Sequence, residues 1–395
     1  MKRHLLCLCL CLTALASGFG CASREKNAAR KVSGPQPLPS GSFAEQWFND
    51  LKLAKDPIDE LYLREDVLFA YTKSDLVYAI GRSNGELRYL ADPEHSGGVL
   101  RPPLLIGDLV LYPTGSTIDI LNNHGRPVKV VTLDKPIRSG AVNIGETVYI
   151  GLDHGGGYGV LASIDIVKAY KPITWEMMTY GATSPTPAVF EKTIYEGAED
   201  GKLYAVNEER GGVWPLAGGA FVTQGRFVSD IKVDDFGVYA SNTDSKLYCL
   251  DRATGKIKWQ YYAGVPLKNA PTVTAQIVYQ FVPHTGIVAL DKTTGDINRR
   301  PRWIAPEATQ YLSEDDKLVY LRRKDGHIQA ADKVTGKIQF ESKSKFDVFA
   351  VNQKDALIYA ATSAGRIVQI KPIVREGEVG NIVVDLREEP IALVR

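Results

Sequence analysis

The stretch from Asp235 to Trp259, DFGVYASNTDSKLYCLDRATGKIKW, holds three strand patterns separated by two turns. Val238-Tyr239-Ala240-Ser241 alternates as a strand does, Asn242-Thr243-Asp244-Ser245 is turn chemistry, and Lys246 to Asp251 alternates again. Ala253-Thr254-Gly255 is a second turn, where glycine supplies a positive φ, and Lys256 to Trp259 opens a third strand. The unit is one small antiparallel sheet.

Moved along the chain, this template recurs eight times at a period of about 41 residues, the spacing of propeller blades. The first hairpin strand of each copy carries an aliphatic-aromatic pair: Leu68-Phe69, Leu111-Tyr112, Val148-Tyr149, Ile194-Tyr195, Val238-Tyr239, Val278-Tyr279, Val319-Tyr320 and Ile358-Tyr359. The second strand carries an apolar residue at Ile80, Ile120, Ile164, Val206, Leu250, Leu290, Ala331 and Ile370. Small and β-branched residues after proline, as in Pro185-Thr186-Pro187-Ala188-Val189 and Ala270-Pro271-Thr272-Val273, suit an innermost strand. These patterns specify an all-β fold, an eight-bladed β-propeller of four-stranded antiparallel blades.

Fourth strands fall on a lattice of Trp47, Tyr89, Val130, Trp175, Trp214, Trp259, Arg299 and Phe340, which starts and stops one blade early. The segment around Trp47 is therefore expected to supply the outer strand of the last blade. Such closure joins the two chain ends and removes an open sheet edge.

Ahead of the ring, Lys2-Arg3 and an apolar run from Leu5 to Ala16 form a secretory signal, too short for a permanent membrane span. Gly18-Phe19-Gly20-Cys21 resembles a lipobox, so Cys21 is the expected lipidation site, with cleavage after Ala16 as the alternative. The expected layout is a signal peptide at 1–20, a flexible tether at 21–42, the propeller at 43–373 and a C-terminal extension at 374–395. Removing the signal takes Cys7, Cys9 and Cys11 with it, which leaves Cys21 and a mid-strand Cys249 and no disulfide framework. A net charge of +1 in 395 residues gives no global field for nucleic acid.

Asp200-Gly201-Lys202-Leu203-Tyr204-Ala205-Val206-Asn207 and Leu247 to Trp259 resemble the repeat of pyrroloquinoline-quinone-type propellers. Signal, tether and a single ring together are similar to the BamB-type outer-membrane-protein assembly lipoproteins. That resemblance implies a non-catalytic scaffold, lipid-anchored to the outer membrane and facing the periplasm, which binds envelope protein partners of the barrel assembly machinery. A monomer without cofactor, metal or catalytic residue is the corresponding expectation. The alternatives are a secreted quinone-dependent dehydrogenase and a carbohydrate- or ligand-sensing propeller. Resemblance to the dehydrogenases implies a catalytic Asp, a calcium ion and an adjacent cysteine pair, and the chain has no Cys-Cys.

Local features have mostly structural readings. Asp153, Asp200, Asp244 and Asp325 suit turn caps. His154 with Gly155-Gly156-Gly157 reads as an enlarged hairpin turn, since it joins strands and leads into no helix. One feature suggests a site: Arg299, Arg300 and Arg302 at the end of the blade-six outer strand, and Arg322, Arg323 and Lys324 at a blade-seven turn. On strand alternation both groups share one face, a candidate patch for an acidic or anionic partner.

Overall fold

A computed structural model of the chain describes residues 41–53, 55–93, 99–168, 170–296 and 300–374. By contact the chain divides into Met1–Leu38, outside the described residues, and Pro39–Arg395, which holds the ring. Its strands form eight four-stranded sheets, and in seven of them the strands follow chain order from the axis outward. The eighth begins with Val348–Ala350, continues through Ile358–Ala361 and Arg366–Val374, and ends with Gly41–Asp50. Glu45 lies opposite Ile370 and Trp47 opposite Gln369, with a bulge between them. The expected closure is thus formed by the strand that carries Trp47, which begins at Gly41.

The hairpin strands are buried on both faces because each sheet is packed between two others. In Leu247-Tyr248-Cys249-Leu250 every residue is buried, while the outer strand Ile257–Tyr262 alternates exposed and buried positions toward its Tyr262 end. The aromatics Phe69, Tyr149, Tyr195, Tyr239, Tyr279, Tyr320 and Tyr359 are all at most 2% exposed and lie in the seams between blades. They are a packing layer, as their regularity suggests.

Blade two departs from the expected register. Leu105 pairs with Val110 and Ile106 with Leu109, as Asn143 pairs with Val148 and Ile144 with Thr147 in blade three. The position of the aromatic is therefore filled by Leu111, and Tyr112 is one residue out of phase. Tyr112 turns toward blade one, where its ring meets Phe69 at 6.3 Å. The equivalent apolar residue of the next strand is Leu121, not Ile120. Because both faces of the strand are buried, an apolar sequence pattern cannot tell the two phases apart.

Candidate interaction site

At most seams an aromatic of one blade's outer strand closes over the outer turn of the next. The indole N–H of Trp47 donates to the Arg82 carbonyl at 3.0 Å, Trp175 to Glu208 at 2.8 Å and Trp214 to Arg252 at 2.7 Å. Trp259 donates to Lys292 at 2.9 Å and Trp303 to Lys333 at 2.8 Å. Beneath Trp303 the turn must be glycine: Gly336 has φ +71° and a Cβ there would lie 2.6 Å from the Trp303 ring, whereas the turn beneath Trp175 carries Arg210 at φ +68°. Tyr89 lies over Gly125 in the same way.

This clasp corrects the outer-strand lattice. In blade six the residue opposite Ala289 is Trp303, because the link from Asp291 to Trp303 is longer than the corresponding links of blades one, two, three, five and seven. In blade four Trp214 precedes the outer strand Ala220–Val222 instead of lying within it. Register places Lys129, opposite Ile120, in the clasp position of blade two, and not Val130. Sequence periodicity locates Trp47, Trp175, Trp214 and Trp259 but puts Arg299 where Trp303 lies, because it cannot see an inserted loop.

The same insertion separates the two halves of the basic feature. Arg300 and Arg302 precede the outer strand Trp303–Ala305, at the end shared by inner and outer turns, and Arg299 lies outside the described residues. Arg322 and Arg323 end the strand Leu318–Arg323, and Lys324 follows it, at the opposite end. They form no common patch. Most of these charges are also engaged: Arg302 bonds Asp291, Arg323 bonds Glu341 at 2.5 Å and Asp325 at 3.3 Å, and Lys324 bonds Glu307 at 2.8 Å. Arg322 turns to the central channel, 5.4 Å from the Phe349 ring centre.

The innermost strands line that channel, which opens at each end. One mouth is a cavity of about 490 Å³ bordered by Arg64, Lys232, Asp234 and Gln353. The other, about 280 Å³, is bordered by Asp59, Glu60, Gln310, Arg322 and Asp347. Arg64 donates to the Pro103 carbonyl at 3.2 Å and stands 5.6 Å from the Tyr62 ring centre. Burial holds its guanidinium below the ordinary value, and burial together with Glu60 pushes the Tyr62 hydroxyl up. This is a polar channel of mixed charge, and its described lining residues include no histidine, cysteine or serine at either mouth.

Turn residues behave as caps. Asp153 accepts the Gly155 N–H at 2.8 Å, Asp200 that of Lys202 at 3.1 Å, Asp244 that of Lys246 at 3.2 Å and Asp325 that of His327 at 3.2 Å. His154 lies on a long hairpin, with strands Thr147–Gly155 and Tyr158–Asp165 joined at Gly156-Gly157. Cys249 is fully buried and burial pushes its thiol up to about 12, which makes it inert. Among the described residues no cluster of three or more His, Cys, Asp or Glu stands together to hold a metal ion. Cys21 lies outside the described residues.

Residues 199–313 match the family described as outer membrane protein assembly factor BamB. The fold is similar to BamB from Moraxella catarrhalis, with a TM-score of 0.64 at 16% identity, covering 83% of this chain and 97% of that one. The ring is BamB-like in fold, and residues 199–313 carry the family's repeat. Likeness also extends to a quinohemoprotein alcohol dehydrogenase from Comamonas testosteroni, with a TM-score of 0.62 at 12% identity over 85% of this chain and 77% of that one. The computationally designed Ika8 protein gives a TM-score of 0.61 at 14% identity over 81% and 98% of the two chains. At such identities these likenesses are of fold. No curated protein matches the chain. A quinone fits this BamB-like ring poorly: the single described cysteine is sealed in a strand, and no cysteine neighbour exists to form the pair that the dehydrogenase resemblance implies.

Proposed function

We propose that this chain is a non-catalytic cell-envelope lipoprotein, anchored through Cys21 at the outer membrane and facing the periplasm, that serves as a protein scaffold in outer-membrane protein assembly. The observation that carries this reading is the coincidence of two likenesses. Residues 199–313 match the BamB family by sequence, and the fold spans 97% of a solved BamB. The ring supports it physically: a closed propeller with inert turns and a sealed thiol offers broad rigid faces, which is what a docking platform requires.

The test is genetic. Deleting the gene should lower the amount of folded barrel proteins in the outer membrane, and the full chain should restore it. A Cys21→Ala chain, released from the membrane, should restore it poorly. Unchanged barrel protein in the deletion strain would remove the assembly role.

A further inference from the structure

We propose that the seam between blades two and three is a docking groove for an extended acidic segment of another envelope protein, which inserts an aromatic side chain. The starting point is a break in the ring's own regularity. Trp47, Tyr89, Trp175, Trp214, Trp259 and Trp303 each close the seam they face, whereas the second blade brings Lys129 to that position. At this seam a cavity of about 500 Å³ opens between Val130–Asp134 and Tyr170–Ile173. Its rim is apolar and uncovered: Val130 is 49% and Tyr170 79% exposed. A second cavity of similar size lies at the seam of blades seven and eight, but the chain's own Phe43 and Phe340 rings, 5.1 Å apart, already pack there.

Among the described residues the strand Pro127–Thr132 that borders the groove pairs only with Thr117–Asn122, so its outer edge offers backbone groups to an incoming extended chain. Charge selects the visitor. The groove's three carboxylates each have a cation in reach, Glu176 and Asp134 sharing Lys135 at 2.8 and 3.2 Å and Asp165 facing Lys168 at 3.5 Å, and with Lys129 and Lys171 the lysines outnumber them. Lys129 and Lys171 are left without a carboxylate among the described residues, so the groove complements acidic residues on either side of an inserted ring. An aromatic anchor suits such a slot because one ring buries a large area at little entropy cost. This deepens the scaffold reading by giving the chemistry of one docking segment. The two fail separately, since a deletion strain with normal barrel proteins would leave binding by the purified protein untouched.

The experiment titrates the full mature chain into a fluorescently labelled peptide Asp-Glu-Trp-Glu-Asp and its counterpart with Ala in place of Trp, read by anisotropy. The Trp peptide should bind about tenfold more tightly or better. Lys171→Glu and Val130→Asp, both at the exposed rim, should each weaken it about fivefold or more while circular dichroism and melting stay unchanged. Equal affinity for the two peptides would overturn the proposal, as would binding that neither variant alters. A concentration-dependent dimer of this chain, dissolved by Val130→Asp, would also overturn it by giving the groove to a second copy.

Discussion

Trp259 shows what a single side chain contributes to the ring. Its indole is 7% exposed, 6.1 Å from the Tyr239 ring, bonded to the Lys292 carbonyl and set on Gly295. Trp259→Ala removes the contact between two blades and leaves a carbonyl uncovered, and should cost about 3–5 kcal/mol in denaturant unfolding. Glu196 is the opposite case. It is fully buried, neither carboxyl oxygen has a hydrogen-bond partner, and burial and then Asp230 hold its carboxyl well above its ordinary value of 4.5. A raised acid favours folding while protonated, so its contribution is present below the unfolded value and is lost as pH rises. Glu196→Gln should therefore raise the melting temperature more at pH about 8 than at pH about 5. An equal shift at both would contradict the burial of a titrating carboxyl. Single residues were legible in the sequence where they repeat on the period, as Trp47, Trp175, Trp214 and Trp259 do and Trp303 does not. Glu196 was not, because a lone acid in a strand pattern carries no sign of being enclosed.

Elements extend the argument to the closing strand. Gly41–Asp50 bonds along Arg366–Val374, and Arg366 reaches Glu45 at 2.8 Å and Asp50 at 3.3 Å. Phe43 packs on Tyr320 and Phe340, so the same strand fastens blade seven to blade eight. A chain in which residues 41–50 are deleted should melt lower by more than about 5 °C and aggregate on heating, through the freed edge of Arg366–Val374. An unaltered melting curve would mean that the ring does not depend on this strand. The closure was readable because the outer-strand lattice runs one blade out of step with the hairpins. Positions within blades two, four and six were not, since a fixed period cannot show a one-residue phase change or the loop before Trp303. The candidate basic patch failed for that reason: moving the start of one strand past Arg302 sends Arg300 and Arg302 to the other end of the blade. Of the expected C-terminal extension, residues 375–395 lie outside the described residues.

On the scale of the whole molecule, symmetry is what separates packing from function. Seven blades share one path from axis to rim and the eighth is completed by the beginning of the ring, so features that repeat are explained by closure. What departs from repetition is the long hairpin of blade three, the polar channel mouths and the unclasped seam beside blade two. Two of these involve blade three, whose Tyr158 and Tyr170 are both exposed. The most direct measurement of the central claim is cross-linking of the full-length chain in intact cells, followed by purification and mass spectrometry. The account predicts that an outer-membrane barrel-assembly protein is recovered, cross-linked to the propeller. Recovery of no envelope protein above the level of a tag-only control would contradict it.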